Sequence, residues 1–440
     1  MWSASHKTAL GALFCILSIA ALADDDLHAS VSSQYGVLEK LYFHLHRNPE
    51  LSFQEKATAG RIANELRDTG YTVTEGVGGF GVVGVLRNGK GPTVMVRTDT
   101  DGLPVAEQSA VAYASRATAV DEFGKTVGVM HACGHDIHMT VFVGTARQLA
   151  ARRNQWQGTL VMIAQPAEER GVGASAMLKD GLFERFPRPD YNLALHVAAD
   201  IPAGKVGYVS GYALANVDSV DITVHGVGGH GAYPHTTKDP VVLAAQIVVA
   251  LQTLVSREIP AQEAAVVTVG SIHGGTKHNI ISNRVDLQLT VRSYSDQVRQ
   301  KLLSGIKRIA IAQGLGAGLS EELLPEIRIS ADEYTPAVYN DPDLAARVIG
   351  VLAQRVGTDN IQIRKPVMGG EDFGRYGRVK PKIPSFMYWL GGVDPEKFEA
   401  AQNGQLQLPS LHSPFFVPLP EPTIITGVKA MTAAAIELFR

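Results

Sequence analysis

Three imidazoles, one thiol and one carboxylate lie within a single stretch of eight residues, HACGHDIH at positions 131–138. Cys133 and His135, two residues apart, can reach one metal ion if the backbone between them is extended or tightly turned. Thiolates and imidazoles are ligands that suit zinc and the neighbouring transition metals. The stretch therefore predicts part of a metal site, and the alternative interpretation is a histidine-rich surface turn.

Two adjacent acids, Glu168 and Glu169, follow an apolar segment of β-strand character. Adjacent carboxylates repel each other unless cations or hydrogen-bond donors lie between them. Because neighbouring side chains diverge, one acid can bind a metal while the other takes a proton from a metal-activated water and passes it to the leaving nitrogen of an amide. The alternative is a pair of solvated surface acids.

Two further histidines supply donors elsewhere in the chain, since His196 ends an apolar segment and His412 lies in a loop near the C-terminus. Taken alone, His196 is more often a packed histidine, and His412 is uninformative. Together with Cys133, His135 and Glu169 they make five donors, one more than a single tetrahedral ion accepts. Five donors fit two metal ions that share one bridging ligand.

The acids and histidines follow segments that we expect to be strands. Four short apolar runs lead into them, at residues 93–96, 160–164, 193–195 and 386–390. Stretches with helical patterns, such as residues 139–152 and 174–180, lie between these runs. Alternating strands and helices predict an α/β domain with a mostly parallel sheet flanked by helices, and such sheets bind ligands at the carboxyl ends of their strands.

The middle of the chain has a different pattern. Between residues 217 and 330 the expected elements follow the order β-α-β-β-α-β, which is typical of a ferredoxin-like α+β fold. We therefore predict a catalytic domain in two parts, residues 24–210 and 330–440, with an inserted domain at residues 211–329.

The first 23 residues have the features of a secretory signal peptide. His6 and Lys7 precede an almost wholly apolar run, and the residues at 21–23 fit a small-residue cleavage site. We expect cleavage after Ala23, which predicts a secreted or periplasmic protein. An uncleaved anchor is the alternative, but the apolar run is short for a membrane span.

The chain contains two cysteines, and one of them, Cys15, leaves with the predicted signal peptide. Cys133 then has no partner for an intramolecular disulfide, and a free thiol in an exported protein is open to oxidation. Coordination of a metal by the thiolate would explain why this cysteine is present.

Charge and glycine patterns argue against other classes of function. A formal net charge of -3 gives no reason to expect a nucleic acid or an anionic membrane as partner. Residues 76–81 and 226–231 both match G-x-G-x-x-G, but a dinucleotide site needs a helix that begins at the glycines. The first stretch is followed by β-type residues and the second by Ala232-Tyr233-Pro234, so both patterns disfavour a dehydrogenase.

The complete set of motifs resembles the aminoacylase and carboxypeptidase family of binuclear metallopeptidases, specifically the amidohydrolase branch with hippurate hydrolases and indole-acetyl-amino-acid hydrolases. The motifs occur in the order of that family and span nearly the whole mature chain: RTDTDGLP, HACGHDIH, QPAEE, ALH, GGHGAYPH, GGTKHNII, TVRSY, GGEDF and LHSPFF. The departures from the branch are Thr98, Thr100, Gly102, Ser282 and Leu289. They concern the shape of the substrate pocket, because none replaces a metal ligand or the base.

The resemblance implies two divalent metal ions, with zinc, manganese, cobalt and nickel all open. It assigns Cys133 as the bridging ligand and four further ligands, His135, Glu169, His196 and His412. It implies that Glu168 is the base that activates water. It also implies that Asp99 orients a ligand such as His135.

The inserted domain resembles a lid that contributes to substrate binding. His230 matches the histidine that polarises the scissile carbonyl, in its own site or in that of a partner subunit. Asn279 and Arg292 match positions that contact the substrate carbonyl or its terminal carboxylate, to which arginine can donate two parallel hydrogen bonds. A structural ion pair is the alternative for Arg292.

These features predict a metal-dependent amidohydrolase that cleaves N-acyl amino acids or amino-acid conjugates. A dipeptidase or carboxypeptidase of the same family is one alternative, and a non-catalytic binding protein for amino-acid conjugates is another. The expected partner is a small-molecule amide, with no nucleic acid and no membrane after signal cleavage. The resemblance also allows a homodimer that forms through the lid domain.

Overall fold

The computed structural model describes the backbone of residues 8–440 and the side chains of residues 26–440. Residues 1–7 of the predicted signal peptide lie outside the described residues, as do the side chains of residues 8–25.

The secondary structure alternates between strands and helices over most of the chain. The strands, in chain order, are β1 (Thr72–Val77), β2 (Gly81–Asn88), β3 (Thr93–Asp99), β4 (Thr118–Val120), β5 (Thr126–Gly128), β6 (Gly158–Gln165), β7 (Tyr191–Pro202), β8 (Val206–Tyr208), β9 (Gly211–Leu214), β10 (Asn216–His225), β11 (Gly229–His230), β12 (Ala265–Gly274), β13 (Ile280–Ile281), β14 (Arg284–Ser293), β15 (Glu326–Ile329), β16 (Val338–Asn340), β17 (Ile361–Ile363) and β18 (Ser385–Val393). The α-helices are α1 (Thr8–Arg47), α2 (Lys56–Asp68), α3 (His135–Ala151), α4 (Gly173–Lys179), α5 (Leu182–Arg185), α6 (Pro240–Thr253), α7 (Asp296–Gly316), α8 (Pro342–Val356), α9 (Gly374–Arg378), α10 (Pro395–Gln402) and α11 (Pro420–Leu438).

A sheet of eight strands forms the centre of the larger unit, in the order β1-β2-β6-β3-β7-β18-β8-β17. Its central strands β6, β3, β7 and β18 run parallel. β1 pairs antiparallel with β2, β2 with β6 and β8 with β18, while the edge strand β17 is parallel to β8. The predicted α/β class with a mostly parallel sheet is therefore confirmed. Because the four central strands run parallel, their carboxyl ends meet at one edge of the sheet.

Helices cover both faces of this sheet, which explains why its central strands are continuous apolar runs. Val94 and Val96 of β3 enter the core formed with α1, α3 and α11, whereas Met95 enters the opposite core with Met177 and Tyr376. Successive side chains of a strand point to opposite faces, so both layers pack on the same strands.

A second, antiparallel sheet has the order β12-β14-β10-β15, and α6 and α7 pack against it. Its core contains Val220, Leu243, Leu287 and Leu302, which come from both the strands and the helices. The order of elements, β10-α6-β12-β14-α7-β15, is the predicted ferredoxin-like pattern. The exact domain boundaries at residues 211 and 329 stay a prediction.

Candidate metal centre

A tight turn places Cys133 and His135 on the same side of the backbone, at the start of α3. Gly134 between them has φ +79°, and a Cβ built there would lie 2.3 Å from Cγ1 of Val197. A side chain at this position would meet both the unfavourable left-handed conformation and a buried neighbour. The glycine therefore allows the thiol and the imidazole to converge at the edge of the sheet.

The five predicted ligands come together at this edge, in two groups of three that share Cys133. The first group is Cys133, His135 and His196, and the second is Cys133, Glu169 and His412, with the donor atoms of each group within 4.8 Å of one another. A residue that belongs to both groups occupies the position that a bridging ligand requires.

The separations between donor atoms match the size of a tetrahedral metal site. Sγ of Cys133 lies 3.4 Å from Nε2 of His196, and Nε2 of His412 lies 3.5 Å from Oε2 of Glu169. Oε1 of Glu169 lies 3.7 Å from Nε2 of His135. Ligands bound at about 2.0–2.3 Å in a tetrahedron are roughly 3.5 Å apart, so these donors fit divalent cations.

The free atoms of the ligands also suit metal ions. Nδ1 of His135 donates to the carbonyl of Asp101 at 2.8 Å, and Nδ1 of His196 donates to the carbonyl of Val197 at 2.7 Å. Both Nε2 atoms therefore keep a lone pair for a metal. Among the described side chains, Nε2 of His135 and Oε1 of Glu169 are buried without a hydrogen-bond partner, which costs free energy unless a cation binds them.

Negative charge accumulates at the site. Burial raises the pKa of the Cys133 thiol well above its usual range, and the carboxylate of Glu169 adds to the rise. Burial likewise raises the pKa of Glu169 to about 7, although the imidazole of His135 opposes this rise. Bound cations reverse this balance, because a coordinating thiol loses its proton.

Glu168 lies beside the ligands, with a carboxylate oxygen within 4.8 Å of the donor atoms of His135 and Glu169. Its Oε2 is 3.9 Å from Nε2 of His135. Burial raises the pKa of Glu168 well above its usual range, and the nearby carboxylate of Glu371 adds to this effect. A buried carboxyl with a raised pKa can both accept and donate a proton near neutral pH.

The structure shows the hydrogen-bond partner of Asp99, and its predicted role in orienting a ligand such as His135 stays a prediction. Oδ1 of Asp99 accepts a hydrogen bond from Nδ1 of His138 at 2.7 Å, whereas the hydrogen-bond acceptor for Nδ1 of His135 is the carbonyl oxygen of Asp101. Asp99 thus holds His138, whose Nε2 accepts from the amide of Val197, the residue after His196. Asp101 lies two residues after the end of β3, and its carbonyl contacts His135 in the first turn of α3.

Arg97 is the buried cation behind the site. It forms ion pairs with Asp99 at 2.7 Å, Glu371 at 2.9 Å and Asp372 at 3.1 Å. Gln165, the last residue of β6, accepts a further hydrogen bond from Nε of Arg97 at 3.0 Å. Arg97 therefore joins β3 and β6 to the GGEDF segment near the C-terminal part of the chain.

Of the predicted substrate-binding residues, His230 lies on the short strand β11, Asn279 in the turn before β13, and Arg292 on β14 of the second sheet. His230 in β11 pairs with Ile280 of β13, and the carbonyl of the exposed Asn279 accepts a hydrogen bond from the amide of Gly231 at 2.9 Å. His230 and Asn279 are therefore neighbours. Within residues 26–440 no hydrogen bond or ion pair joins either side chain to the five ligand side chains.

Arg292 links the second sheet to the loop that contains the GGEDF segment. It lies half-buried on β14, and its Nη1 donates to the carbonyl of Met368 at 2.6 Å, just before the GGEDF segment. Its Nε also donates to Oγ1 of Thr290 at 3.3 Å. The structure thus gives Arg292 a structural contact, and its contact with substrate stays a prediction.

Comparison with known families identifies the group of proteins to which this site belongs. The sequence pattern of Peptidase family M20/M25/M40 matches residues 95–413, which is more than half of the chain. The chain belongs to this family. The resemblance inferred from the motifs is therefore confirmed, and the chain is a hydrolase of the M20 family.

Relatives of this M20 hydrolase match over most of their length. Thermostable carboxypeptidase 2 of Saccharolobus solfataricus is 36% identical over 80% of this chain and 85% of its own. Hippurate hydrolase of Campylobacter jejuni is 35% identical over 80% of this chain and 88% of its own. The YXEP protein of Bacillus subtilis, described as a dinuclear metal binding peptidase from the M20 family, has a crystal structure with TM-score 0.72 and 27% identity, covering 92% of this chain and 98% of that one.

Reasoning from the sequence missed three acids of the M20 site. Asp101 accepts hydrogen bonds from the amides of Glu168 and Glu169, each at 3.1 Å. Glu371 and Asp372 bind Arg97. The motifs RTDTD and GGEDF contain these acids, but only the fold shows that the two motifs meet.

Proposed function

We propose that this chain hydrolyses the amide bond of N-acyl amino acids or related amino-acid conjugates with two bound divalent cations. The observation that carries the proposal is the pair of donor groups that share Cys133, with the carboxyl of Glu168 next to them. The name of the hippurate hydrolase relative supports the acyl amino acid as substrate class.

The residues of the chain then have separate roles. The ligand side chains would hold the cations, which polarise carbonyl groups and acidify water when bound. Glu168 takes a proton from the attacking water as the oxygen bonds to the carbonyl carbon. Glu168 then gives that proton to the nitrogen as the carbon–nitrogen bond breaks, so the amine leaves neutral and Glu168 returns to its starting state.

We assign residues of β11, of the turn before β13 and of β14 to substrate recognition. His230 on β11 and Asn279 in the turn before β13 are both exposed, and we propose that they contact the carbonyl oxygen of the substrate. Arg292 has five N–H donors, of which the contacts with Met368 and Thr290 occupy two. We propose that its remaining donors bind the terminal carboxylate of the amino-acid product.

A substrate panel tests the proposed activity. N-benzoylglycine and N-acetyl amino acids should be cleaved with a higher kcat/KM than dipeptides of matched side chains or the same conjugates with an amidated carboxylate. Preferential cleavage of dipeptides would favour the carboxypeptidase alternative, which the name of the Saccharolobus relative supports. Tight binding without turnover would favour the non-catalytic alternative.

We further propose a homodimer that forms through the second sheet. The segment Pro240–Glu258 is long and apolar enough to cross a membrane by length and composition, yet it packs on this sheet with 33% of its window buried. Val242 and Val249 lie on one exposed stripe of α6, and β12 is an edge strand beside it. A second copy would cover the apolar stripe and pair the open edge.

We also propose that the chain is exported, on the basis of its first 23 residues. The mature protein should begin at Asp24 and appear outside the cytoplasm. Mass spectrometry of the intact protein after cell fractionation measures this directly, and a cytoplasmic protein that retains Met1 would contradict the proposal.

A further inference from the structure

The loop that carries Glu168 and Glu169 contains a backbone conformation that its residue type does not favour. Ala167, just before the two acids, has φ +52° and is completely buried. A residue with a Cβ is unfavourable in this left-handed region, and such conformations persist only when surrounding contacts hold them. Some group must therefore stabilise the turn.

Two buried acids hold three successive amides of this loop. The amide of Ala167 donates to Oε1 of Glu55 at 2.7 Å. The amides of Glu168 and Glu169 donate to the two carboxylate oxygens of Asp101. Glu55 thus holds the strained residue, while Asp101 holds the two residues that follow it.

The burial of the Glu55 side chain is not explained by a capping role in the helix that it precedes. It is completely buried at the start of α2, but its side chain makes no capping hydrogen bond to that helix. The amides of Ala57 and Thr58 in the first turn donate instead to Glu50. A buried carboxyl is costly without hydrogen bonds, and the amide of Ala167 in the catalytic loop supplies one to Glu55.

The protonation of Glu55 is compatible with this contact. Burial raises the pKa of Glu55 to about 8, and the charge of Asp101 adds to the rise. A neutral carboxyl still accepts a hydrogen bond through its carbonyl oxygen. Glutamine, which has the same shape and a carbonyl oxygen, should therefore substitute for Glu55 with little loss.

We propose that Glu55 is a positioning residue, which holds Ala167 in its left-handed conformation and so aims Glu168 and Glu169 at the metal centre. The proposal rests on the proposed function, because it assigns roles to both acids. It adds a residue from outside the metal-binding motifs, contributed by the N-terminal part of the chain. Loss of this hydrogen bond would let the loop relax and move both carboxylates.

Four variants test the proposal: Glu55→Ala, Glu55→Gln, Glu55→Ala combined with Ala167→Gly, and Glu65→Ala as control. Glu65 is also a buried acid of α2, but it pairs with Arg61 and Arg147, away from the loop. Each variant is measured for kcat and KM on N-benzoylglycine, for the Kd of Zn²⁺ by chelator competition, and for its melting temperature.

The expected changes in kcat, KM and Kd distinguish a positioning role of Glu55 from an effect on stability alone. Glu55→Ala should lower kcat by roughly 10- to 100-fold at little change in KM, because small displacements of reacting groups are that costly. It should also weaken Zn²⁺ binding at Glu169. The kcat of Glu55→Gln should stay within about threefold of the wild-type value. Adding Ala167→Gly to Glu55→Ala should restore part of the lost kcat, since glycine adopts positive φ without strain.

Several results would overturn the proposal. They are an unchanged kcat and Kd in Glu55→Ala, an equal loss in Glu55→Gln, no recovery in the double variant, or an equal loss in Glu65→Ala. If wild type fails to cleave any N-acyl amino acid, the proposed function is wrong, and the Kd for Zn²⁺ still decides whether Glu55 positions the loop.

Discussion

Each ligand of the M20 site leaves one particular atom free. His135 and His196 both donate from Nδ1 to a backbone carbonyl, which turns Nε2 towards the cluster. Glu169 presents one oxygen to His135 and the other to His412. His412 is itself held at φ +68°, and its amide donates to the carbonyl of Ala132 beside Cys133. These contacts orient the donor atoms towards one another.

Variants of the two adjacent acids should separate loss of turnover from loss of bound metal. We expect Glu168→Gln to lower turnover by roughly 100- to 10,000-fold while the bound metal is retained, because glutamine cannot take up the proton. Glu169→Gln should instead lose metal, since it removes a charged ligand. Turnover and metal content measured by mass spectrometry on the same samples check this, and normal turnover in Glu168→Gln would contradict the assigned role.

His46 should make stability depend on pH. Burial alone lowers its pKa, but hydrogen bonds to Asp136 and Glu107 outweigh burial and raise the pKa to about 9. The unfolded value is about 6.5, so the stabilisation is complete below pH 6.5 and is lost as the pH rises through 9. The shift corresponds to roughly 3 kcal/mol.

The measurement for His46 compares the melting temperature of wild type with that of His46→Gln at several pH values. The difference between the two proteins should be largest below pH 6.5 and shrink as the pH passes 9. A difference that does not change with pH would contradict the charged state assigned to His46.

At the scale of elements, the acids at and after the carboxyl ends of β3 and β6 lie beside the metal ligands, and Arg97 connects these two strands to the GGEDF segment. The apolar runs at 93–96 and 160–164 predicted these strands, because a strand buried on both faces reads as a continuous apolar run. The sequence could not predict the Arg97 contacts, since their partners are 274 and 275 residues away. It also missed Glu55, whose role depends on a strained turn in a distant loop.

Removal of Arg97 should destabilise the protein strongly. Arg97→Met leaves the buried carboxylates of Asp99, Glu371 and Asp372 without their cation, and breaking a buried pair costs about 3–5 kcal/mol. Arg284→Met is the control, because Arg284 pairs with Asp286 on the surface and should cause no measurable change. Chemical denaturation measures both, and equal stabilities would contradict the assigned role of Arg97.

At the scale of the whole molecule, the order of elements predicted a parallel sheet and a ferredoxin-like unit, since both depend on local periodicity. How the second sheet is held against the rest of the chain could not be predicted, because it depends on a few long-range contacts such as Arg292 with Met368. The apolar stripe on α6 is also a whole-molecule feature, since it would become buried only in an assembly.

The proposed homodimer gives a prediction at this scale. Val249→Glu should convert a dimer into a monomer, because it places a charge on a side chain that is 71% exposed on the stripe of α6. Val37→Glu is a matched control, since Val37 is 52% exposed on α1 of the other unit. Size-exclusion chromatography with light scattering measures the mass, and a monomeric wild type would contradict the proposal.

The most direct test of the central claim is to measure bound metal and hydrolysis of N-benzoylglycine together. We expect about two equivalents of divalent cation per chain, because two donor groups share Cys133. Dialysis against a chelator should abolish hydrolysis, and addition of Mn²⁺ or Zn²⁺ should restore it. Full activity in a chelated protein that holds no metal would contradict the account.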